Sequence, residues 1–335
     1  EPAHLSVVLA VYKEHIRILR REAHPHGEDF LRRKLAQLRW LFEGTPHTWD
    51  LTVVDDGCPD GSGRIAAEIL ATDAPDADAR VLFLEAAIRL GLPVVSGLSS
   101  TDQSRKGGSV RYGMWHAAQT VRPNHVVVFT DADLSTHLGQ SGLLMAPILE
   151  RGAASAVGSR REPTSVVVKA GQRNTRGKLF IYLWKRLIAP LADIVDTQCG
   201  FKAFAPGPLD AWFTGAIESG FAFDIELLLN VQLANPGSIE KVGIAWIDSD
   251  AQSTTADLEP YLDMLGMVVR FYRNYLAGNA QADGFAQLIE ALDQDAFDGL
   301  MASLPGAIAD ADPATFGDFE GVSAAELRRR AGLRA

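Results

Sequence analysis

Val126-Val127-Val128-Phe129-Thr130 is an unbroken apolar run that stops on Asp131-Ala132-Asp133. β-Branched and aromatic residues without polar alternation predict a strand buried on both faces. Such strands belong to parallel sheets covered by helices, and the ligands of those sheets bind beyond the carboxyl ends of the strands. Two carboxylates spaced i, i+2 therefore stand on the edge where chemistry is done. An isolated Asp-x-Asp is better read as a solvated turn or a helix N-cap, since Asp is favoured at both. Directly after this strand the functional reading prevails. Hard carboxylate oxygens suit Mg2+ or Mn2+, which complete their shells with phosphate oxygens and water. An ion of that kind offsets the charge that builds on a departing diphosphate.

Outward from this strand, the first half of the chain alternates apolar runs with amphipathic stretches, the pattern of βαβ units. Leu5–Val11 reads as a buried strand and the stretch from Glu28 to Phe42 has helical periodicity. Leu51–Val54 is a second strand, ending on Asp55-Asp56-Gly57, with the turn-rich Cys58-Pro59-Asp60-Gly61-Ser62 behind it and helix from Gly63 to Ala71. Arg80–Leu84 reads as a third strand, Leu90–Arg105 as a loop or insertion, Val110–Thr120 as a helix and Ala153–Gly158 as a further strand. The expected architecture is α/β, a Rossmann-like and mostly parallel central sheet flanked by helices. It fills residues 1–277. From Gly278 the chain is acidic until a basic cluster at Arg328, and residues 278–335 read as a small helical C-terminal appendage.

The chain has 335 residues, 47% hydrophobic and 22% charged, enough for one large α/β domain with an appendage. A net charge of −10 argues against non-specific nucleic-acid binding, which needs a basic field, yet allows a local basic pocket for an anionic substrate. The two cysteines, Cys58 and Cys199, form no CxxC pair, which speaks against a disulfide scaffold or a zinc site. No apolar run is long enough to span a bilayer. A cytoplasmic location, with at most peripheral membrane contact, is expected, and a homodimer is compatible with all of this.

Other strand ends and loops add chemistry. Tyr12-Lys13-Glu14 and Asp55-Asp56 fall on the same rim as Asp131 and Asp133. Asp55 can serve a turn, as Asp-Gly often does, and also face a nucleobase. Lys106-Gly107-Gly108, with Arg105 before it and Arg111 behind, opens a helix, where glycines and cations suit a diphosphate. Asp224, within Phe221-Ala222-Phe223-Asp224-Ile225, is either a base with a raised pKa among aromatics or a first-turn acid favoured by the helix dipole. Arg160, Arg161, Arg173, Arg176 and Lys202 form a cationic set that could hold an anionic acceptor, although scattered arginines are usually solvated. Lys178–Ile188 reads as a buried helix with Lys185 and Arg186 snorkelling, ahead of a helix lying on a membrane.

Taken in order, LAVYKE, VVDDGCPDGS, RKGGSVRYGM, FTDADLS, VGSR, DTQCGFKAF and FDIELL resemble the family-two inverting glycosyltransferases of GT-A fold. The nearest branch is that of the dolichyl- and polyprenyl-phosphate glucosyltransferases and mannose synthases. The resemblance covers roughly residues 4–255, and it is the order that makes it specific. It implies that Ala10, Tyr12 and Glu14 line a nucleoside pocket, that Asp55 contacts the base, and that Lys106 and Gly107 lie by the nucleotide. Asp131 and Ala132 would approach ribose and diphosphate, with Asp131 and Asp133 on the metal. Gln198 would be near the donor sugar, Asp224 would be the catalytic carboxylate, and Arg160 and Arg173 would sit near an acceptor phosphate. Ala10 stands where the family commonly has proline and Lys13 where it has asparagine; the loop from Leu84 to Arg105 is longer than usual. A transmembrane tail of the sort many polyprenyl-phosphate enzymes carry is not found in the chain. These departures bear on the lipid acceptor more than on the fold or the donor.

The expected activity is a single displacement moving a hexose-type sugar from a nucleoside diphosphate sugar, UDP ahead of GDP. The acceptor is a phosphate or a hydroxyl, on a polyprenyl phosphate or a soluble small molecule. Two other readings share the pocket. A sugar-1-phosphate nucleotidyltransferase would need a Gly-rich activating loop at the first strand, which is not convincing here. A non-catalytic nucleotide-binding protein would leave Asp224 without a role.

Overall fold

The computed structural model describes residues 1–168, 174–248, 259–317 and 321–333. Nine strands alternate with helices among them: β1 His4–Val11, α1 Phe30–Phe42, β2 Thr48–Asp55, α2 Ser62–Asp73, β3 Ala79–Phe83, α3 Leu84–Arg89, α4 Gly107–Ala118, β4 His125–Thr130, α5 Ser141–Arg151 and β5 Ser155–Ser159. They continue with β6 Val166–Val168, α6 Asn174–Leu187, β7 Phe201–Phe204, α7 Asp210–Gly215, α8 Phe223–Ala234, β8 Ile239–Gly243 and β9 Ala245–Ile247. The remaining helices are α9 Glu259–Tyr275, α10 Ala280–Glu290, α11 Gln294–Ala302, α12 Gly306–Ala309 and α13 Ala324–Arg330.

The central sheet has the order β3-β2-β1-β4-β7-β5-β8. All neighbours are parallel except β7, which runs antiparallel to both β4 and β5. A second, two-stranded parallel sheet pairs β6 with β9. Alternate residues of β1 go to opposite faces, as the period of a strand demands. Leu5, Val7 and Leu9 join a core with Phe30, Leu31, Leu35 and Leu38 of α1. Val8 and Val54 meet α4 on the other face, where Gly113 lets the helix come close.

The chain divides into two compact units, Glu1–Lys169 with Asp196–Ala251, and Ala170–Val195 with Gln252–Ala335. The first holds both sheets. In the second, α6 packs against α9, α10 and α12. Leu179, Tyr182, Leu183 and Trp184 of α6 are buried, and so are Lys185 and Arg186, at 5% and 7% exposed. The snorkelling expected of those two is therefore corrected. Lys185 Nζ donates to Ala192 O at 2.6 Å, and the Arg186 guanidinium lies 4.3 Å from the centre of the Tyr182 ring. The stretch expected as strand Arg80–Leu84 and then loop is a strand to Phe83 followed without a break by α3.

Candidate active site

The described site residues lie in the first unit, most of them beyond the carboxyl ends of β1, β2, β4 and β5, with Lys202 on β7 and Asp224 at the start of α8. Asp131 follows β4 directly, and its N–H donates to Gly200 O at 2.9 Å, next to the start of β7. A Cβ on Gly200 would come within 2.2 Å of the Asp131 carboxyl, so any larger residue there would have to push that carboxylate aside. The carboxylate accepts from Lys106 Nζ. Burial pushes the Asp131 pKa up, but Lys106, with Lys202 and Lys34 behind it, outweighs burial and holds it below the usual range. Asp133 goes the other way: burial and the neighbouring Asp131 charge raise it. Its Oδ1 accepts from Ser135 N at 3.0 Å, and Arg17 Nη2 stands 4.0 Å from Oδ2.

Arg17 ties this pair to two further acids, at 3.1 Å from Glu14 and 3.3 Å from Glu28. Burial pushes Glu14 up to about 7 against the pull of Arg17. Tyr12 is exposed, Ala10 half-buried and Ala132 buried.

The Asp55-Asp56 doublet divides its work across the sheet. Asp55 Oδ1 accepts from Gly57 N and Cys58 N, both at 3.0 Å, and Oδ2 from Gly63 N at 2.7 Å. It fastens the turn and the start of α2. Asp56, on the opposite face, accepts from Ser104 Oγ at 2.6 Å, Ser109 Oγ at 2.5 Å and Lys106 N at 2.9 Å. It fastens the loop that leads into α4. Lys106 sits there at φ 92, a left-handed backbone that a side-chain-bearing residue seldom adopts. The amides of this helix start are partly taken: Arg105 N and Gly108 N both donate to Ser219 O at 3.0 Å. Gly107 has no room for a Cβ, which would come within 2.7 Å of Gly220 O and of Phe223 Cβ. The cation offered to the rim is thus the Lys106 side chain.

Asp224 is in the first turn of α8, 4% exposed, and accepts from Lys202 Nζ at 2.5 Å. Burial raises its pKa, against the opposing charges of Lys202 and Lys106. Lys202 is itself fully buried, over the Phe129 ring, so its placing among acceptor-facing cations is corrected: it is the counter-ion of Asp224. Arg160 holds Asp196 through Nε at 2.8 Å and Nη2 at 2.6 Å, with its guanidinium 5.3 Å from the Trp246 ring. Arg173 lies outside the described residues. Gln198 Nε2 is buried with no hydrogen-bond partner.

The residues that sequence reasoning missed are Arg17 and Lys34, and Asp56, placed on the rim, was given no role of its own. Lys34 is fully buried in the core-facing stripe of α1, and its ammonium has no hydrogen-bond partner. The signal for it was a charge at a position where the helix period asks for an apolar residue.

Among the described residues, no cluster of three or more His, Cys, Asp and Glu side chains is shaped to hold a metal. Asp131 and Asp133 nevertheless suit part of a shell, since Mg2+-type ions commonly take one or two protein carboxylates and complete the rest with phosphate and water. The ammonium already seated on Asp131 marks that carboxylate as a cation seat.

No family model matches the sequence. Over 261 residues the chain is 28% identical to a dolichyl-phosphate beta-glucosyltransferase of Drosophila melanogaster, covering 75% of this chain and 69% of that protein. The Saccharomyces cerevisiae protein of the same name is 25% identical over 264 residues, again 75% and 69% of the two chains. Among solved structures, glucosyl-3-phosphoglycerate synthase from Mycobacterium tuberculosis, in complex with Mn2+, uridine diphosphate and phosphoglyceric acid, has a TM-score of 0.53. That match has 19% identity and covers 83% of this chain and 80% of the other. Strand order and these relatives agree on one conclusion: the chain has the GT-A fold and is a glycosyltransferase acting on a nucleotide sugar, similar in sequence to the dolichyl-phosphate beta-glucosyltransferases.

Proposed function

We propose that the protein transfers a hexose from UDP-sugar, with inversion and with a divalent ion, to a phosphate-bearing acceptor. The observation that carries this reading is the convergence of Asp131, Asp133, Lys106 and the Lys202–Asp224 pair at the carboxyl ends of the strands. Support for UDP, the ion and a phosphorylated acceptor comes from the Mycobacterium tuberculosis enzyme, crystallised with Mn2+, uridine diphosphate and phosphoglyceric acid. Support for a polyprenyl phosphate comes from the names of the Drosophila and yeast relatives.

Asp131 and Asp133 would hold a divalent ion, which would supply positive charge to the departing diphosphate. The chain's own residues do the rest. Lys106 brings a cation to the same leaving group, and Gln198 Nε2 is a donor awaiting an acceptor on the sugar. A phosphate monoester, with second pKa about 6, is largely dianionic at neutral pH and attacks without losing a proton. Asp224, with one oxygen fixed by Lys202, is then not needed as a base. With a hydroxyl acceptor it would have to act as base. Arg160 is the cation assigned to the acceptor phosphate, backed by Asp196.

The test is calorimetric titration of UDP and GDP, each with Mn2+ and with EDTA, on the wild type and on Asp131→Ala/Asp133→Ala. Mn2+-dependent binding of UDP, lost in the variant, is expected. Binding of neither nucleotide under any metal condition would overturn the reading. Asp224→Asn should reduce transfer to a phosphate acceptor mildly; a collapse of that rate with donor binding intact would refute the division of roles.

A further inference from the structure

The geometry points to a cation exchange at Asp131: the Lys106 ammonium occupies this carboxylate until a divalent ion takes it over, and then turns to the diphosphate of the donor. The inference rests on the donor-site reading above and concerns what happens there before any sugar moves.

Three observations carry it. First, the Lys106–Asp131 pair is not sealed: the two side chains are 33% and 30% exposed, so solvent reaches part of each of them. Second, the base of the side chain cannot drift. Its backbone is held at φ 92 by Asp56, whose carboxylate also gathers Ser104 and Ser109, and Lys106 O accepts from Val110 N at 2.9 Å. A fixed backbone with a flexible four-carbon stem is a pivot. Third, the other lysines nearby are already committed or out of reach of hydrogen bonding. Lys202 is fixed on Asp224, and the Lys34 ammonium has no hydrogen-bond partner. Asp131 therefore cannot lose Lys106 without another cation arriving, because a half-buried carboxylate stripped of its partner is costly. A divalent ion meets that need, and the diphosphate that comes with it gives the freed ammonium a new anion.

Asp56 acts here as a positioning residue, through Lys106 and without touching the ligand. The exchange predicts effects of opposite sign on two ligands, which loss of structure would not produce. In Lys106→Met, Asp131 is uncontested, so Mn2+ alone binds about tenfold tighter, while UDP at saturating Mn2+ binds about tenfold weaker. Lys106→Arg keeps the charge and stays near the wild type on both. Free Mn2+ is followed by its electron paramagnetic resonance signal and UDP by calorimetry, with melting curves to verify folding. If Lys106→Met does not fold, Asp56→Asn replaces it, with the same two signs expected at smaller amplitude. Mn2+ affinity unchanged or weakened in a folded variant, while the wild type still binds UDP with Mn2+, overturns the exchange and leaves the donor site standing. Absence of UDP binding by the wild type overturns both.

Discussion

Gly200 and Asp131 face each other across the start of β7, with no space for a methyl group between them. Gly200→Ala should push the carboxylate off its present line. The expected result is a loss of Mn2+-dependent UDP affinity of at least about tenfold, of order 1.4 kcal/mol, with a smaller drop in melting temperature. Unchanged affinity would mean that Asp131 does not need its present aim. Glu14 offers a test by pH. Its folded pKa, raised from 4.5 to about 7, means that the folded state keeps a proton which the unfolded state releases between those values. Stability contributed by this group therefore falls as pH rises through that window, by at most about 3 kcal/mol. Glu14→Gln, melted in EDTA, should gain on the wild type between pH 5 and pH 8. A gap independent of pH would contradict the burial of this acid. The doublet Asp55-Asp56 shows what a sequence offers at this scale: the two-residue period of a strand says that the acids face opposite sides. It does not say that one would end in the turn before α2 and the other in the loop before α4.

Helix α1 was legible from its apolar stripe, and Lys34 is the one discordant letter in that stripe. Burial lowers its pKa from 10.5 to about 8. The unfolded chain binds this proton more readily, so the cost is full below pH 8 and shrinks as pH rises from 8 toward 10.5. Lys34→Met should therefore stabilise the protein near neutral pH, by up to about 3 kcal/mol, with the gain narrowing at alkaline pH. Chemical denaturation at pH 7 and pH 9.5 reads this directly; destabilisation at both would show that the charge is needed by Asp133 and Asp131 for folding. Strands β1, β2 and β4 could be found because each is an apolar run closed by polar residues. Strand β7 could not: Phe201-Lys202-Ala203-Phe204 carries a lysine at its centre. That lysine is tolerable only because Asp224 arrives from α8 to pair with it. Helix α3 was hidden for a different reason, since no glycine or proline separates Phe83 from Leu84.

For the whole molecule, the parallel sheet and the edge that carries its carboxylates were readable because they follow from local pattern. The pairings that make the edge work are long-range: Lys106 with Asp131, Lys202 with Asp224, and Arg160 with Asp196. Loops bring them together, and loops carry little periodic signal. Net charge gives a prediction at this scale. At −10 the chain is repelled by an anionic surface, and among the described residues no helix is long and apolar enough to cross a membrane. Vesicle flotation should show no rise in binding as phosphatidylserine is increased; a rise would reveal a basic face that the net charge conceals.

The antiparallel seat of β7 has a consequence for how the protein is made. During synthesis β4 is complete at Thr130 and can pair with β1 at once, but its other edge is closed only by a strand that begins at Phe201. Strand β5 leaves the ribosome in between and has no place to dock, because its own neighbours β7 and β8 come later. For that interval the nascent chain exposes the open edge of its most apolar strand, the kind of surface that pairs with a stranger. The layout of the sheet thus sets a waiting period during translation, and a chain halted before Phe201 would be ready to aggregate.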